Sequence, residues 1–143
     1  MTHIKAKALC IFRHQDQVLL SYGYDPSKDE TYLRPIGGGI EFGETSVQAI
    51  EREVLEEIHQ QIAKPKLLAV LENLFTFDGQ PGHEIVFVYD AEFVDSALYA
   101  EIEIHGCETG GLSYIAQWLS REQIELNQYP VYPKGIAQWL FPE

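Results

Sequence analysis

Apolar positions along this chain change period, and the changes mark its elements. Residues 4–12 (IKAKALCIF) alternate and then run apolar, predicting a strand that enters a core. Residues 14–17 are polar and turn-like, and 18–24 (VLLSYGY) read as the return strand. A loop rich in Pro, Ser and Asp follows at 25–30, and 31–36 forms a short strand that delivers the chain to the glycine run Gly37, Gly38, Gly39. The period then becomes helical. Val47, Ile50, Val54 and Ile58 recur at spacings of three and four and form one apolar stripe, while Thr45 and Gln48 fit a T-x-x-Q capping box at its start. Pro65 stops helical continuation. Strand-like segments at 66–77 and 84–93 flank DGQPGH, whose Gly and Pro supply the turn of the clearest hairpin in the chain. A short helical turn at 95–100, a strand at 101–104 and an apolar stretch at 112–119 come next. Ser120 with Gln123 forms a second capping box for a helix near 121–126, and 135–140 reads as a short terminal helix. Without repeats or a linker, residues 1–143 read as a single domain. Strands on both sides of one strong helix predict an α/β sandwich around a mixed β-sheet.

Composition narrows the function classes. The chain has 143 residues, 45% of them hydrophobic, enough for one packed core. Twenty-two acids against ten Lys and Arg leave a net charge of −12. So acidic a surface repels polyanions, which argues against a nucleic-acid polymer or an anionic membrane as partner. A small phosphate ester binds only where cations neutralise both sides. No apolar run is long enough for a membrane helix, and the first residues lack the apolar core and cleavage site of a secretory signal, so a cytoplasmic protein is expected. Cys10 and Cys107 lie far apart and outside any C-x-x-C spacing, consistent with reduced thiols; Cys10, inside an apolar strand, reads as a small hydrophobe.

At about 100° per residue, Glu53, Glu56 and Glu57 fall together on an arc beside the apolar stripe. Like charges at this spacing repel, so a positive group belongs among them, and a hard divalent cation with oxygen ligands suits the place. Taken alone, E-x-x-E-E is more often just the solvated face of a helix. Its surroundings decide otherwise. Gly38, Glu44, Arg52, Glu53, Glu56 and Glu57 stand in the spacing G-x5-E-x7-R-E-x-x-E-E, which resembles the signature box of the Nudix hydrolases. Two positions depart from that box: His59 and Gln60 stand where the family has glycine and an aliphatic residue, and Ile36 stands where it often has proline. Histidine visits the left-handed conformation more readily than most residues, so the first change reads as a different helix exit that removes no carboxylate.

The resemblance implies an α/β/α sandwich and cleavage of a nucleoside diphosphate linked to a further group X, giving a nucleotide and phosphorylated X. It implies Mg²⁺ or Mn²⁺ held by Glu53, Glu56 and Glu57, with the Gly38 carbonyl as a further oxygen. Gly37, Gly38 and Gly39 would let the backbone approach a pyrophosphate, Arg34 would fork onto a phosphate, and Glu44 and Arg52 would pair to hold the box together. Arg52, about 100° from its neighbour on the helix, is read as structural. Glu108, in the loop before Trp118, is the candidate general base, with Glu53 the competing assignment and His83 and Glu84 weaker ones. Arg13 stands out because basic residues are scarce. Tyr22, Tyr24 and Tyr32 could stack on a base, whereas Phe75 reads as core. A small nucleotide-type substrate and a homodimer are the partners the resemblance suggests. The alternative is a catalytically silent domain of the same fold that senses a nucleotide.

Overall fold

The computed structural model describes residues 2–108 and 110–141. Thr109, in the loop that carries Glu108, lies outside them. Nine strands, three α-helices and one 3₁₀ turn make up the described chain. Strand β1 (Lys5–Ile11) is central, because two strands of its own sheet flank its edges and its second half is buried on both faces. Ala8 and Cys10, with the following Phe12, pack into one apolar cluster, and Leu9 and Ile11 pack into the other. A strand buried on both faces reads as a continuous apolar run, which explains why the alternation of IKAKA gives way to LCIF. Cys10 is buried there as a small hydrophobe, and both cysteines are free.

The run predicted as one strand at 31–36 is divided by Pro35. Strand β4 (Glu30–Arg34) pairs with β3 (Gln17–Asp25), whereas β5 (Ile36–Gly39) pairs with β1. Proline cannot donate to a ladder, so the chain leaves one sheet at Pro35 and enters the other. The glycines therefore form a strand rather than a loop. Helix α1 (Ser46–Ile58) starts at the predicted box, with both reciprocal hydrogen bonds of Thr45 and Gln48 present. Such a cap contributes about 1 kcal/mol. It ends at His59, which is left-handed (φ 58°, ψ 37°). Histidine thus makes the glycine-type exit itself, and no different exit was needed.

Strands β6 (Ile62–Phe77) and β7 (Gln80–Phe93) form the predicted hairpin, closed by Asp78 and Gly79, both at positive φ. The turn is thus two residues, and Pro81 and Gly82 belong to β7. Pro65 lies inside β6 at a register shift, as edge strands permit. One sheet has the order β5-β1-β7-β6 and is mixed, since β1 and β7 run parallel. The second sheet is antiparallel: β2 (Arg13–His14), β3, β9 (Ser113–Ser120) and β8 (Glu103–Cys107), with β4 on the outer side of β3. The α/β sandwich with a mixed sheet is thus present, with a second sheet closing the far side. The turn at Ser96–Ala100 is 3₁₀, capped by Asp95. Helix α2 (Arg121–Asn127) carries its complete capping box, while α3 (Ala137–Leu140) is a single turn with no side-chain cap. Arg13 ties that end down, donating to the Trp139 carbonyl at 2.6 Å and pairing with Asp90 at 3.0 Å, so its scarcity marked a structural tie. No helix among the described residues is long and apolar enough to cross a membrane.

Candidate active site

Helix α1 lies against β5 and β1, and the glycines set how closely. A Cβ on Gly37 would stand 2.0 Å from the Ala8 carbonyl oxygen, and one on Gly38 would stand 2.6 Å from the carboxylate of Glu53. A Cβ on Gly39 would meet nothing. Two of the three glycines thus serve packing, and the second brings the backbone directly against a box glutamate.

The acid arc divides on folding. Glu53 and Glu57 are buried, at 4% and 3% exposure, whereas Glu56 stays half-exposed. Glu53 Oε1 accepts from Arg52 Nη1 at 2.9 Å, but Oε2 is buried without a partner among the described residues. An unsatisfied buried carboxylate oxygen costs several kcal/mol unless a ligand completes it. Glu57 packs beside Glu53 and accepts from the Tyr114 hydroxyl at 2.7 Å. Burial, followed by the neighbouring Glu53, pushes the Glu57 carboxyl up to about 8. Burial and the Glu57 charge likewise raise the Tyr114 hydroxyl.

Arg52 is the hub. Its Nε and Nη2 fork onto Glu44 at 3.0 and 2.6 Å, and Nη2 also donates to the Gly39 carbonyl at 2.8 Å. Its Nη1 reaches Glu53 and, at 3.2 Å, Glu56. The arginine therefore does hold the loop to the helix, but its long side chain also returns to the acids from which the helical wheel separates it. Hydrogen bonds from Arg52, then from the Glu41 backbone, lower the Glu44 carboxyl to about 2. With one guanidinium occupying Glu53 and Glu56, and Tyr114 holding Glu57, no three His, Cys, Asp or Glu side chains among the described residues converge on a single point. The donor set is all hard oxygen, and the orphaned Glu53 Oε2 against Gly38 is a donor that suits a hard cation.

Beyond Tyr114 opens a cleft of about 910 Å³ between the two sheets. Arg34 and Glu108 stand in its wall, paired at 3.2 Å through Arg34 Nη2. Lys5, Lys7, Lys28 and Lys134 also line it, so half the Lys and Arg of the chain face this one space, against the carboxylates of Asp25, Glu84 and Glu108. Three aromatic rings lie over cross-strand glycines: Tyr32 over Gly23, Phe75 over Gly82 and Tyr114 over Gly106. Phe75 is consequently a lining residue rather than core, and Tyr22, Tyr24 and Tyr32 line the cleft with it. Glu84 is tied to Lys7 at 2.6 Å, and His83 lies beside it in β7. Residue pattern alone did not mark Tyr114 as a site residue, because its partner Glu57 is 57 positions away on another element.

The same architecture recurs in solved structures. A NUDIX hydrolase from Nitrosomonas europaea superposes with a TM-score of 0.63 at 22% identity, covering 88% of this chain and 78% of its own. A MutT NUDIX hydrolase from Burkholderia pseudomallei gives 0.63 at 16% identity, over 85% of this chain and 86% of its own. A MutT protein from Bacillus halodurans gives 0.58 at 20% identity, over 96% and 79%. At these identities the likeness is one of fold. The chain's own sequence matches the NUDIX domain over residues 1–140, and the chain belongs to that family. It is a Nudix-type hydrolase acting on phosphoanhydride bonds, and hydrolases of this family generally use divalent metal ions.

Proposed function

We propose that the chain hydrolyses a nucleoside diphosphate linked to a further moiety X, releasing a nucleotide and phosphorylated X, with Mg²⁺ as its metal. The carrying observation is the buried, unpartnered Glu53 Oε2, set against Gly38 and beside the buried Glu57. Glu53, Glu56, Glu57 and the Gly38 carbonyl would hold the ion. When bound, it supplies positive charge to offset that of the phosphates. Arg52 and Glu44 are positioning residues that fix the helix against the glycine strand.

The cleft supplies the rest. Only Nη2 of the Arg34 guanidinium has a partner among the described residues, which leaves donors for a phosphate oxygen. Glu108, half-exposed at the cleft wall, takes the proton of the attacking water as its oxygen bonds to phosphorus and the bridging P–O bond breaks. Glu53 suits the ligand role better than the base role, because Arg52 holds its Oε1 and its Oε2 is buried against Gly38. The test is a screen of nucleoside diphosphate derivatives with Mg²⁺, reading nucleotide and phosphate products. Turnover should follow Mg²⁺ and fall in Glu108→Gln without loss of metal binding. Hydrolysis of none of them would overturn the reading, and Glu108→Gln at the wild-type kcat would remove Glu108 from it.

A further inference from the structure

One side chain, Tyr114 on β9, stands between the acid arc and the cleft. Its ring packs against the apolar cluster that holds Ile50, Val54 and Ile58 of α1, and it also lines the cleft. Its hydroxyl crosses from the second sheet to α1 and donates to Glu57 Oε1 at 2.7 Å. Gly106 of β8 is the residue directly opposite Tyr114 in the strand pair. A Cβ at Gly106 would lie 2.4 Å from Tyr114 Cζ and 2.6 Å from its hydroxyl oxygen. Any larger residue there would displace the hydroxyl end itself. Gly106 is not at positive φ, so the room it leaves for the tyrosine, and not its backbone, is what calls for glycine.

We infer that Tyr114 is a positioning residue for the divalent ion, holding Glu57 in the geometry in which it binds metal, and that Gly106 is the seat that puts the hydroxyl there. The inference rests on the proposed reading, in which Glu53, Glu56, Glu57 and the Gly38 carbonyl hold that ion. Glu57 is 3% exposed, so bulk water does not orient its carboxylate, and the buried Glu53 lies beside it. Two neighbouring carboxylates repel, and without a partner each is free to turn away from the other. A hydroxyl donor on Oε1 fixes one rotamer and leaves the other oxygen for a cation. The rotamer entropy is then lost on folding and not again when the ion binds. Partners of this kind set metal affinity without touching the metal. Arg52 does the same from the other side, with its Nη1 on Glu53 and Glu56. Each of the three acids thus has a donor outside the ion: Arg52 for two of them, Tyr114 for the third.

Calorimetric Mg²⁺ titration of the wild type, Tyr114→Phe, Gly106→Ala and the double variant, without substrate, tests this. Tyr114→Phe keeps the ring and removes only the hydroxyl, so the Kd for Mg²⁺ should rise about 10- to 100-fold. Gly106→Ala alters no carboxylate yet displaces the hydroxyl, so it should raise Kd to a similar extent. Because both act through one hydrogen bond, the double variant should bind no more weakly than the weaker single variant. Metal-free thermal unfolding checks that each variant is folded, and Tyr114→Phe decides the matter if Gly106→Ala is not. Wild-type Mg²⁺ affinity in Tyr114→Phe would overturn the inference even if its melting temperature fell, since a purely structural bond behaves that way. Losses that add in the double variant would overturn the role given to Gly106. A rise in KM with unchanged Mg²⁺ affinity would make Tyr114 a cleft residue and likewise overturn the inference. Failure of the wild type to bind Mg²⁺ at all would overturn the metal reading itself, a result told apart from the others because it needs no variant.

Discussion

The two sides of Tyr114 are opposite in charge. On the α1 side, Glu41, Glu44, Glu53 and Glu56 surround the one guanidinium of Arg52, with Glu57 buried next to them. On the cleft side, five Lys and Arg side chains face three carboxylates. A chain of net charge −12 has thus concentrated half its cations in a single space. The contrast shows how so acidic a protein can receive an anionic substrate. On the proposed reading, the phosphate would meet the positive charge of the cleft wall, and the metal ion would meet the carboxylates of the acid side. Removing a carboxylate from the acid side and removing packing from the glycine strand should therefore have different signatures.

The largest effect is expected at Glu56. Glu56→Gln keeps the volume and removes one charge, so turnover with Mg²⁺ should fall about 100- to 1,000-fold, as for loss of one preorganised electrostatic contact. Its half-exposed pair with Arg52 contributes less than about 1 kcal/mol, so thermal unfolding of the metal-free protein should hardly move. Turnover near the wild-type value would remove Glu56 from the metal site.

Next comes the glycine series, which should be graded along β5. Gly37→Ala drives a methyl into the β1 backbone and should cost about 3 kcal/mol in urea unfolding. Gly38→Ala meets a movable carboxylate and should cost about 1–2 kcal/mol while displacing Glu53, so its loss of activity should exceed its loss of stability. Gly39→Ala has open space and should stay within about 0.5 kcal/mol. Equal costs at all three positions would contradict the close docking of α1 on β5.

A smaller effect is expected at Arg52. Arg52→Lys keeps the charge but cannot fork onto Glu44 while also reaching Gly39 and Glu53. The loss should be about 10-fold in kcat/KM, borne mainly by kcat, together with a lower urea midpoint. A rise in KM alone would mean that Arg52 contacts substrate directly.

How much of this was legible in the residues depends on the range of each interaction. The capping boxes at Thr45 and Ser120 were readable because both partners lie within one helical turn. The Nudix box was readable because its spacing is local to one strand and one helix. The α1 stripe predicted a buried face, but periodicity gave no reason for Glu53 and Glu57 to be buried with it; that follows from β5 and Tyr114 closing over them. Pro35 looked like a residue inside one strand, since only the pairing partners of its two sides distinguish two sheets. The cleft was least legible of all. Its cations come from β1, β4, the turn after β3 and the segment after α2, which are ordinary surface positions until the sheets face each other.

The smallest expected effect is on pH dependence, through Glu44. Its carboxyl lies at about 2 in the folded chain against an ordinary 4.5, because Arg52 and the Glu41 backbone hold the ionised form. A depressed carboxyl stabilises the fold above its unfolded value and loses that contribution as pH falls from about 4.5 through about 2. Over that window Glu44→Gln should show a shallower decline in unfolding free energy than the wild type. Parallel declines would mean that the fork contributes nothing to acid stability.

The central claim is that the buried carboxylates of α1 bind the divalent ion. It is tested most directly by calorimetric Mg²⁺ titration of the wild type, Glu53→Gln, Glu57→Gln and Glu44→Gln without substrate. The account predicts that Kd rises more than about 10-fold in Glu53→Gln and Glu57→Gln, and less in Glu44→Gln, which only positions the box. Wild-type Mg²⁺ affinity in both Glu53→Gln and Glu57→Gln would contradict it.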